Sequence, residues 1–214
     1  MKFKQLANNT INFAINRVIE VVAISIVVLG VLLLGSLVSF SPEDPNFIFP
    51  NNVEIKNILG FRGSFAADLF FQSIGLIALL IPFSLIVSGI NIALNKKIFA
   101  IIESIFYTIL YSLFGSLFFS FFYPDAFNLY INGNGGFIGK FFETTFLNSL
   151  IVINPQISYY IFVFLIFTLF LISVQFKINS FYKISIKIFR LLFINKEKNY
   201  TNKNEIISEF IPQD

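Results

Sequence analysis

The sequence predicts an all-α, polytopic integral membrane protein with four transmembrane helices. Of its 214 residues, 56% are hydrophobic and only 13% are charged, whereas an ordinary soluble domain has about 25% charged residues. Four long apolar segments alternate with polar stretches, and the two longer stretches between them contain proline and glycine. The chain has no Cys and no His, which excludes disulfides, Cys/His zinc sites and catalysis by thiol or imidazole groups.

The first crossing is predicted over residues 21–40, after a polar leader at residues 1–20. An uncharged run of about 20 residues, rising 1.5 Å per residue, spans a hydrocarbon core of about 30 Å. Pro42 and Pro45 end this helix, because proline disfavours helical geometry in the residue before it. A cleavable signal peptide would have a shorter apolar region and a small-residue cleavage site, so we interpret the segment as an uncleaved anchor.

The first outer loop is predicted over residues 41–68, and small residues are spaced helically in its second half. Asn57 is the candidate N-cap of that short helical piece, and Asp68 ends it. Small residues three or four apart let one helix face approach another backbone closely. The residues with this spacing are Gly60, Gly63, Ser64 and Ala67.

The second and third crossings are predicted over residues 69–94 and 98–122, with a short basic turn between them. Pro82 lies near the middle of the second crossing and predicts a packing kink there, because it removes a backbone hydrogen bond. The third crossing contains one acid, Glu103.

The second outer loop is predicted over residues 123–156, and the fourth crossing over residues 157–176. Within this loop the apolar residues of 137–153 repeat near the helical period, while Lys140 and Glu143 fall on the other side. This piece is too polar for a crossing, so we expect a short helix in the membrane interface or packed re-entrantly. Residues 177–214 form a basic amphipathic juxtamembrane segment and the start of a linker.

Orientation follows from the distribution of Lys and Arg. Twelve of the 15 basic residues lie in the leader, the turn after the second crossing and the C-terminal segment; the other three are Lys56, Arg62 and Lys140. The positive-inside rule therefore predicts that both termini are cytoplasmic and that the two long loops face outward.

Groups that could perform chemistry are few. Glu20 and Glu103 lie within about two turns of the cytoplasmic surface, where a long side chain reaches the interface, and Arg17 is placed to pair with Glu20. An ion-path role for these acids is the less favoured interpretation. No G-x-x-x-x-G-K-[ST] motif occurs, so we expect no P-loop and no catalytic, cofactor-binding or metal residue in this chain.

The order and placement of several motifs resemble the N-terminal membrane domain of the FtsK/SpoIIIE DNA translocase family. They are S-P-E-D-P at 41–45, N-x-x-G-x-x-G-x-x-x-A-D from Asn57 to Asp68 with Gly75 seven residues on, and N-G-N-G-G-F-I-G at 132–139. The similarity runs from about Val18 to Arg190. It implies a bacterial inner-membrane anchor at the division septum, joined by a linker to a hexameric, ATP-driven motor that pumps double-stranded DNA in chromosome segregation.

The motor is not among these residues, so the chain itself is not expected to be an enzyme. ATP, Mg²⁺ and DNA would contact only the motor domain, and the last ten residues fit the opening of the linker, as expected of a partial chain. The expected partners of the membrane domain are lipid, other division proteins of the membrane and further copies of itself. The candidate structural or interaction residues are Asp44, Pro45, Asn57, Gly60, Gly63, Ala67, Asp68, Gly75, Gly135 and Gly136.

The alternative hypothesis is a small four-helix channel or transporter subunit, which would need polar side chains facing the interior of the bundle. The candidates are Ser84, Ser88, Asn91, Ser112 and Ser116. Ordinary hydrogen bonding between helices explains the same residues with fewer assumptions. A membrane enzyme ranks third, since a four-helix thiol oxidase would need cysteines.

Overall fold

The computed structural model describes residues 2–45, 54–95, 98–124, 132–176 and the single residue Ile186. The chain divides into two compact units, residues 1–175 and residues 176–214. The fold described below is that of the first unit. Seven α-helices are described, with a 3-10 helix at Gly75–Leu80 between the second and third. They are α1 (Lys2–Val38), α2 (Gly60–Ile74), α3 (Ile81–Asn95), α4 (Ala100–Phe122), α5 (Gly136–Glu143), α6 (Phe146–Ile153) and α7 (Pro155–Ser173).

Four helical segments are long and apolar enough to cross a membrane, which confirms the predicted all-α class with four crossings. They are Thr10–Val38, Gly60–Asn95, Ala100–Phe122 and Pro155–Ser173. At 1.5 Å per residue, α4 is about 34 Å long, which matches a hydrocarbon core of about 30 Å. The cytoplasmic position of the termini and the interfacial position of the short helix stay predictions.

The bundle is built from two antiparallel helix pairs. α1 packs along α3, with Gly30 against Ile86 and Gly89 against Val27, so that glycines bring the two backbones close together. α4 packs along α7 through aromatic pairs, including Tyr111 with Phe170 at a ring-centroid distance of 5.7 Å and Phe118 with Tyr159 at 5.3 Å.

The helix bounds differ from the sequence expectations at three places. α1 already begins at Lys2, so the predicted leader is helical, and it ends at Val38. The second helical segment begins at Gly60, well before the predicted Leu69. The predicted helix over 137–153 is two short helices, α5 and α6, separated at residues 144–145.

The second crossing is interrupted at Gly75, which the sequence did not predict. α2 ends at Ile74, and the 3-10 helix Gly75–Leu80 precedes α3. Pro82 is the second residue of α3, and it has no N–H to continue the hydrogen bonds of the 3-10 helix. The predicted kink at Pro82 stays a prediction.

Candidate functional site

The described parts of both long loops lie at one end of the bundle. We call this end, where α1 and α4 finish and α7 begins, the loop end. It carries residues 41–45 and 54–59 of the first loop and residues 132–135 of the second. All ten candidate residues make close contacts there or are buried there, and Gly60 does so only through its backbone N–H, which donates to the Asn57 carbonyl at 2.9 Å.

Asp44 closes the first loop. Its side chain is buried, at 4% exposure, and its two carboxylate oxygens accept the backbone N–H groups of Lys56 at 2.8 Å and Asn57 at 2.9 Å. Hydrogen bonds to a carboxylate are roughly twice as strong as neutral ones. The carboxylate therefore fixes residues 44 and 56–57 side by side, as its place in the S-P-E-D-P motif led us to expect of a loop-shaping residue.

Asn57 joins the end of α1 to the start of α2. Its amide nitrogen donates to the Ser36 carbonyl at 2.9 Å, and its side-chain oxygen accepts the N–H of Leu59 at 3.1 Å. The prediction that Asn57 is the helix N-cap is wrong by two positions, because Leu59 holds the N-cap position of α2. Asn57 instead closes the turn that precedes the helix.

The small residues of α2 face α1 and the first loop. The Ser36 hydroxyl donates to the Gly63 carbonyl at 2.5 Å, and the Ser64 hydroxyl donates to the Pro45 carbonyl at 2.9 Å. Ala67 is fully buried in an apolar cluster with Leu37, Phe71 and Ala78. The predicted close helix approach therefore occurs here.

Two further candidates of this stretch differ in their surroundings. Asp68 is buried beside the small-residue face, at 8% exposure. Gly60 is not part of that face, since a Cβ placed on it would meet no atom within 4 Å. Its positive φ of 64° instead marks the turn by which the chain enters α2.

The second loop packs against the helix interruption at Gly75. This residue has φ 73° and ψ −153°, a conformation essentially restricted to glycine. The N–H of the next residue, Leu76, donates to the backbone carbonyl of Asn134 at 2.9 Å. A side chain at Gly75 would collide with that same carbonyl.

Two carbonyls near the interruption also accept hydrogen bonds from outside α2. The Asn132 amide donates to the carbonyl of Gln72 at 3.2 Å, and the Ser116 hydroxyl of α4 donates to the carbonyl of Ile74 at 2.8 Å. An unsatisfied backbone group in a hydrocarbon environment costs several kcal/mol. The second loop thus supplies partners for the Leu76 N–H and the Gln72 carbonyl, which would pair with each other in a continuous helix.

Gly135 and Gly136 allow the loop to come this close. A Cβ on Gly135 would lie 2.5 Å from the Ser116 carbonyl oxygen, and one on Gly136 would lie 2.5 Å from the Gly75 nitrogen. Asn134, at 1% exposure, donates from its side chain to the carbonyl of Tyr123. Both positions therefore require glycine for a steric reason. The backbone of α4 lies against Gly135, and the backbone of the interruption lies against Gly136.

Sequence reasoning missed the partners that complete this arrangement. Ser36, Asn132 and Asn134 were not singled out, and Ser116 was assigned to the channel hypothesis. The dense Asn/Gly run at 132–136 was a usable signal for a tight turn, but its partner in α2 could not be read from it.

The five polar residues named as channel candidates are bonded to other side chains or to backbone, whereas the buried side-chain amide of Gln72 and the Oδ1 of Asn134 have no hydrogen-bond partner. Ser84 contacts the Tyr111 hydroxyl at 3.0 Å, Ser88 contacts Ser104 at 2.5 Å, and Asn91 donates to the Val174 carbonyl at 3.0 Å. The remaining two channel candidates donate to carbonyls in α4 and α2: Ser112 to Thr108 and Ser116 to Ile74. This pattern favours hydrogen bonding between helices over a polar pathway.

Apart from the buried Asp44 and Asp68, several charged residues form exposed pairs or lie at a helix end. Arg17 pairs with Glu20 at 2.5 Å, as predicted, and Glu103 lies in the first turn of α4, where the helix dipole favours an acid. At the loop end, the hydrogen bond and charge of Lys56 lower the pKa of Glu43, and Glu43 in turn raises the pKa of Lys56. The described ranges contain no group of three or more Asp, Glu, His or Cys residues placed to hold a metal ion.

Comparison with known proteins identifies relatives of this chain. The family described as the 4TM region of DNA translocase FtsK/SpoIIIE matches residues 16–185. The protein "DNA translocase FtsK" of Rickettsia bellii (strain RML369-C) is 32% identical over 72 residues, which are 34% of this chain and 10% of the relative. The chain thus aligns with about a tenth of that relative's length. No solved structure matches it.

Proposed function

We propose the function of this chain from its family, because the chain belongs to the FtsK/SpoIIIE DNA translocase family as the 4TM region of such a protein. In this proposal the four crossings anchor an ATP-driven DNA pump to the bacterial inner membrane at the division septum. Both termini are cytoplasmic, and the motor, with its ATP and Mg²⁺, lies outside these residues. The membrane domain forms homo-oligomers and contacts other division proteins.

The observation that carries the proposal is the construction of the loop end. In the first loop the Asp44 carboxylate accepts the Lys56 N–H, and the Asn57 amide ties the loop to α1. In the second loop, far away in sequence, the Asn132 amide donates to α2. A shaped, solvent-facing end on an otherwise apolar bundle suits a protein that is positioned by its neighbours. The five polar residues that the channel alternative would use are hydrogen-bonded within the bundle, which disfavours that alternative.

A surface substitution tests the docking role better than removal of the first loop. Deleting residues 41–68 would also remove the first nine residues of α2, including buried Ala67. In the full-length protein, Ile58→Asp changes a side chain at the loop end that is 72% exposed. We expect reduced septal enrichment of a fluorescent fusion at unchanged membrane abundance.

The matched control is Phe99→Asp, an 80% exposed apolar residue at the opposite end of α4. The control should leave septal enrichment intact. Equal enrichment of both variants and the wild type would refute docking through the loop end, while loss in both would indicate a general effect on the anchor.

Orientation is testable because the chain has no Cys. A single cysteine in place of exposed Glu54, at the loop end, should react with a membrane-impermeant maleimide in spheroplasts. A single cysteine in place of Phe99 should react only after permeabilisation. The opposite pattern would overturn the proposed orientation.

A further inference from the structure

The last turn of α7 is held in the bundle more closely than the rest of that helix. Within α7, all of whose residues the structure describes, Ser173 alone is buried, at 0% exposure. Val174, which follows the helix, is buried as well. The other residues of α7 are half-buried or exposed. The end of α7 opposite the loop end is therefore enclosed by neighbouring helices.

Ser173 joins α7 to two of these helices. Its hydroxyl donates to the Ser84 hydroxyl of α3 at 2.9 Å and is hydrogen-bonded to the Thr108 hydroxyl of α4 at 3.0 Å. Hydroxyl and amide side chains that hydrogen-bond across helices help to hold membrane bundles together. A single side chain of α7 thus connects three helices.

The next two residues add bonds to the same two helices. The Asn91 amide of α3 donates to the carbonyl of Val174 at 3.0 Å. The Gln175 amide donates to the carbonyl of Ala100, the first residue of α4, also at 3.0 Å. The last carbonyls of a helix have no partner within the helix, so Asn91 satisfies one of them. We call residues 173–175 the α7 latch.

The backbone of Gln175 also indicates that the α7 latch is firmly held. Its φ of 51° is left-handed, and among the described residues only glycines otherwise have a positive φ. Glycine is the usual residue in this conformation after a helix, because a Cβ is disfavoured there. Such a conformation persists at a residue with a side chain only where the surroundings hold it. The bond from Gln175 to α4 is one such contact.

The α7 latch lies where the chain leaves the first compact unit, which ends at residue 175. A pull on the chain beyond this residue acts first on the latch. Bonds to α3 and α4 distribute that pull over three helices, whereas α7 alone would be drawn away from the bundle. We propose that the α7 latch is a load-bearing joint, which fixes the exit of the chain and resists force applied from the C-terminal side.

The joint goes beyond the anchoring function. That a DNA pump applies the force rests on the proposed function, but the resistance to force does not. The two tests below use the purified chain without a motor or division proteins. They can therefore fail while the septal localisation test succeeds, and the reverse.

The first test pulls single molecules by their two termini in bicelles with magnetic tweezers. It measures, at constant force, the rate of the step whose extension corresponds to the 19 residues of α7. Asn91→Leu removes the amide that holds Val174 and keeps the size of the side chain. The step should become about 3- to 20-fold faster than in the wild type, as expected for one hydrogen bond between membrane helices.

Asn95→Leu is the matched control for this test. Asn95 lies one turn after Asn91, is exposed, and donates to the Asn91 carbonyl within α3. The control should keep the wild-type rate. Equal rates in the two variants would overturn the proposal.

The second test measures distances between spin labels on pairs of introduced cysteines, since the chain has no Cys. Each pair joins an exposed residue of α1 to an exposed residue of α7. Val18 and Ile172 form the pair at the latch, and Val38 and Ile157 form the pair at the loop end. Electron–electron double resonance gives the distance distribution of each pair.

The distances are compared before and after the latch is weakened by Asn91→Leu together with Gln175→Gly. Glycine removes the Gln175 side chain without straining the left-handed backbone. The distribution of the latch pair should broaden, while that of the loop-end pair should stay as in the wild type. An unchanged latch pair would refute the joint. Broadening of both pairs would mean that the substitutions loosen α7 as a whole, and the proposal would fail.

Discussion

Replacing Gly75 by Ala should destabilise the bundle far more than the same change at another glycine with positive φ. The conformation at Gly75 costs a residue with a side chain about 1–3 kcal/mol. The new Cβ would also displace the Asn134 carbonyl, which accepts the Leu76 N–H at 2.9 Å. Leaving that N–H unsatisfied adds about 1–3 kcal/mol. We therefore expect the free energy of unfolding to fall by about 2–6 kcal/mol.

Gly60→Ala is the matched control, because Gly60 also has a positive φ, of 64°, but no atom lies within 4 Å of its Cβ position. The control should cost about 1–2 kcal/mol, the strain of the left-handed conformation alone. Denaturant unfolding in detergent micelles, followed by circular dichroism, measures both values. If the two variants agree within about 0.5 kcal/mol, the second loop does not contribute to stability at the interruption.

Three more predictions concern single side chains. Asp44→Ala removes two hydrogen bonds to a carboxylate and should cost about 2–4 kcal/mol in the same titration, while exposed Glu54→Ala stays within about 0.5 kcal/mol; equal values would contradict the loop-closing role. Tyr111→Phe removes a buried hydroxyl bonded to a serine and should cost about 0.5–1.5 kcal/mol in that titration; no change would mean that this bond is not stabilising. Because the pKa of Glu43 is lowered in the folded state, its ion pair stabilises fully above the ordinary Glu pKa and is lost as pH falls through the lowered value. Because the pKa of Lys56 is raised, the stability from the ion pair is lost a second time as pH rises through that raised value. Glu43→Gln should therefore make the melting temperature depend less on pH in both ranges. A plot of melting temperature against pH that runs parallel to the wild type would refute the pairing.

The sequence was sufficient for the number and type of crossings, because apolar length is a property of each segment alone. It also identified most residues that shape the loop end. Asp44, Asn57 and Gly63 stand out because acids, amides and glycines in an apolar chain are retained where backbone groups need partners or space. Asp44 binds Lys56 of the same loop, and Asn57 binds the nearby Leu59 and also Ser36 of the neighbouring helix α1.

The interruption of the second crossing could not be predicted, because it depends on partners distant in sequence. Pro82 carried the stronger local signal, whereas the backbone that lies against Gly75 belongs to residues 134 and 135. A short helical piece ending at Asp68 was predicted, but as part of the outer loop and separate from the crossing that begins at Leu69. Only the structure shows Asp68 buried and Arg62 exposed on a continuous helix.

The interruption at Gly75 also imposes an order on biosynthesis. The carbonyl of Gln72 receives its hydrogen bond from Asn132, which follows 60 residues later in the chain. At about 5–20 residues per second, the ribosome needs about 3–12 s to synthesise that partner. During this interval the second crossing cannot form these hydrogen bonds with the second loop, so the interruption reaches its final bonding only when the third crossing and second loop have been synthesised.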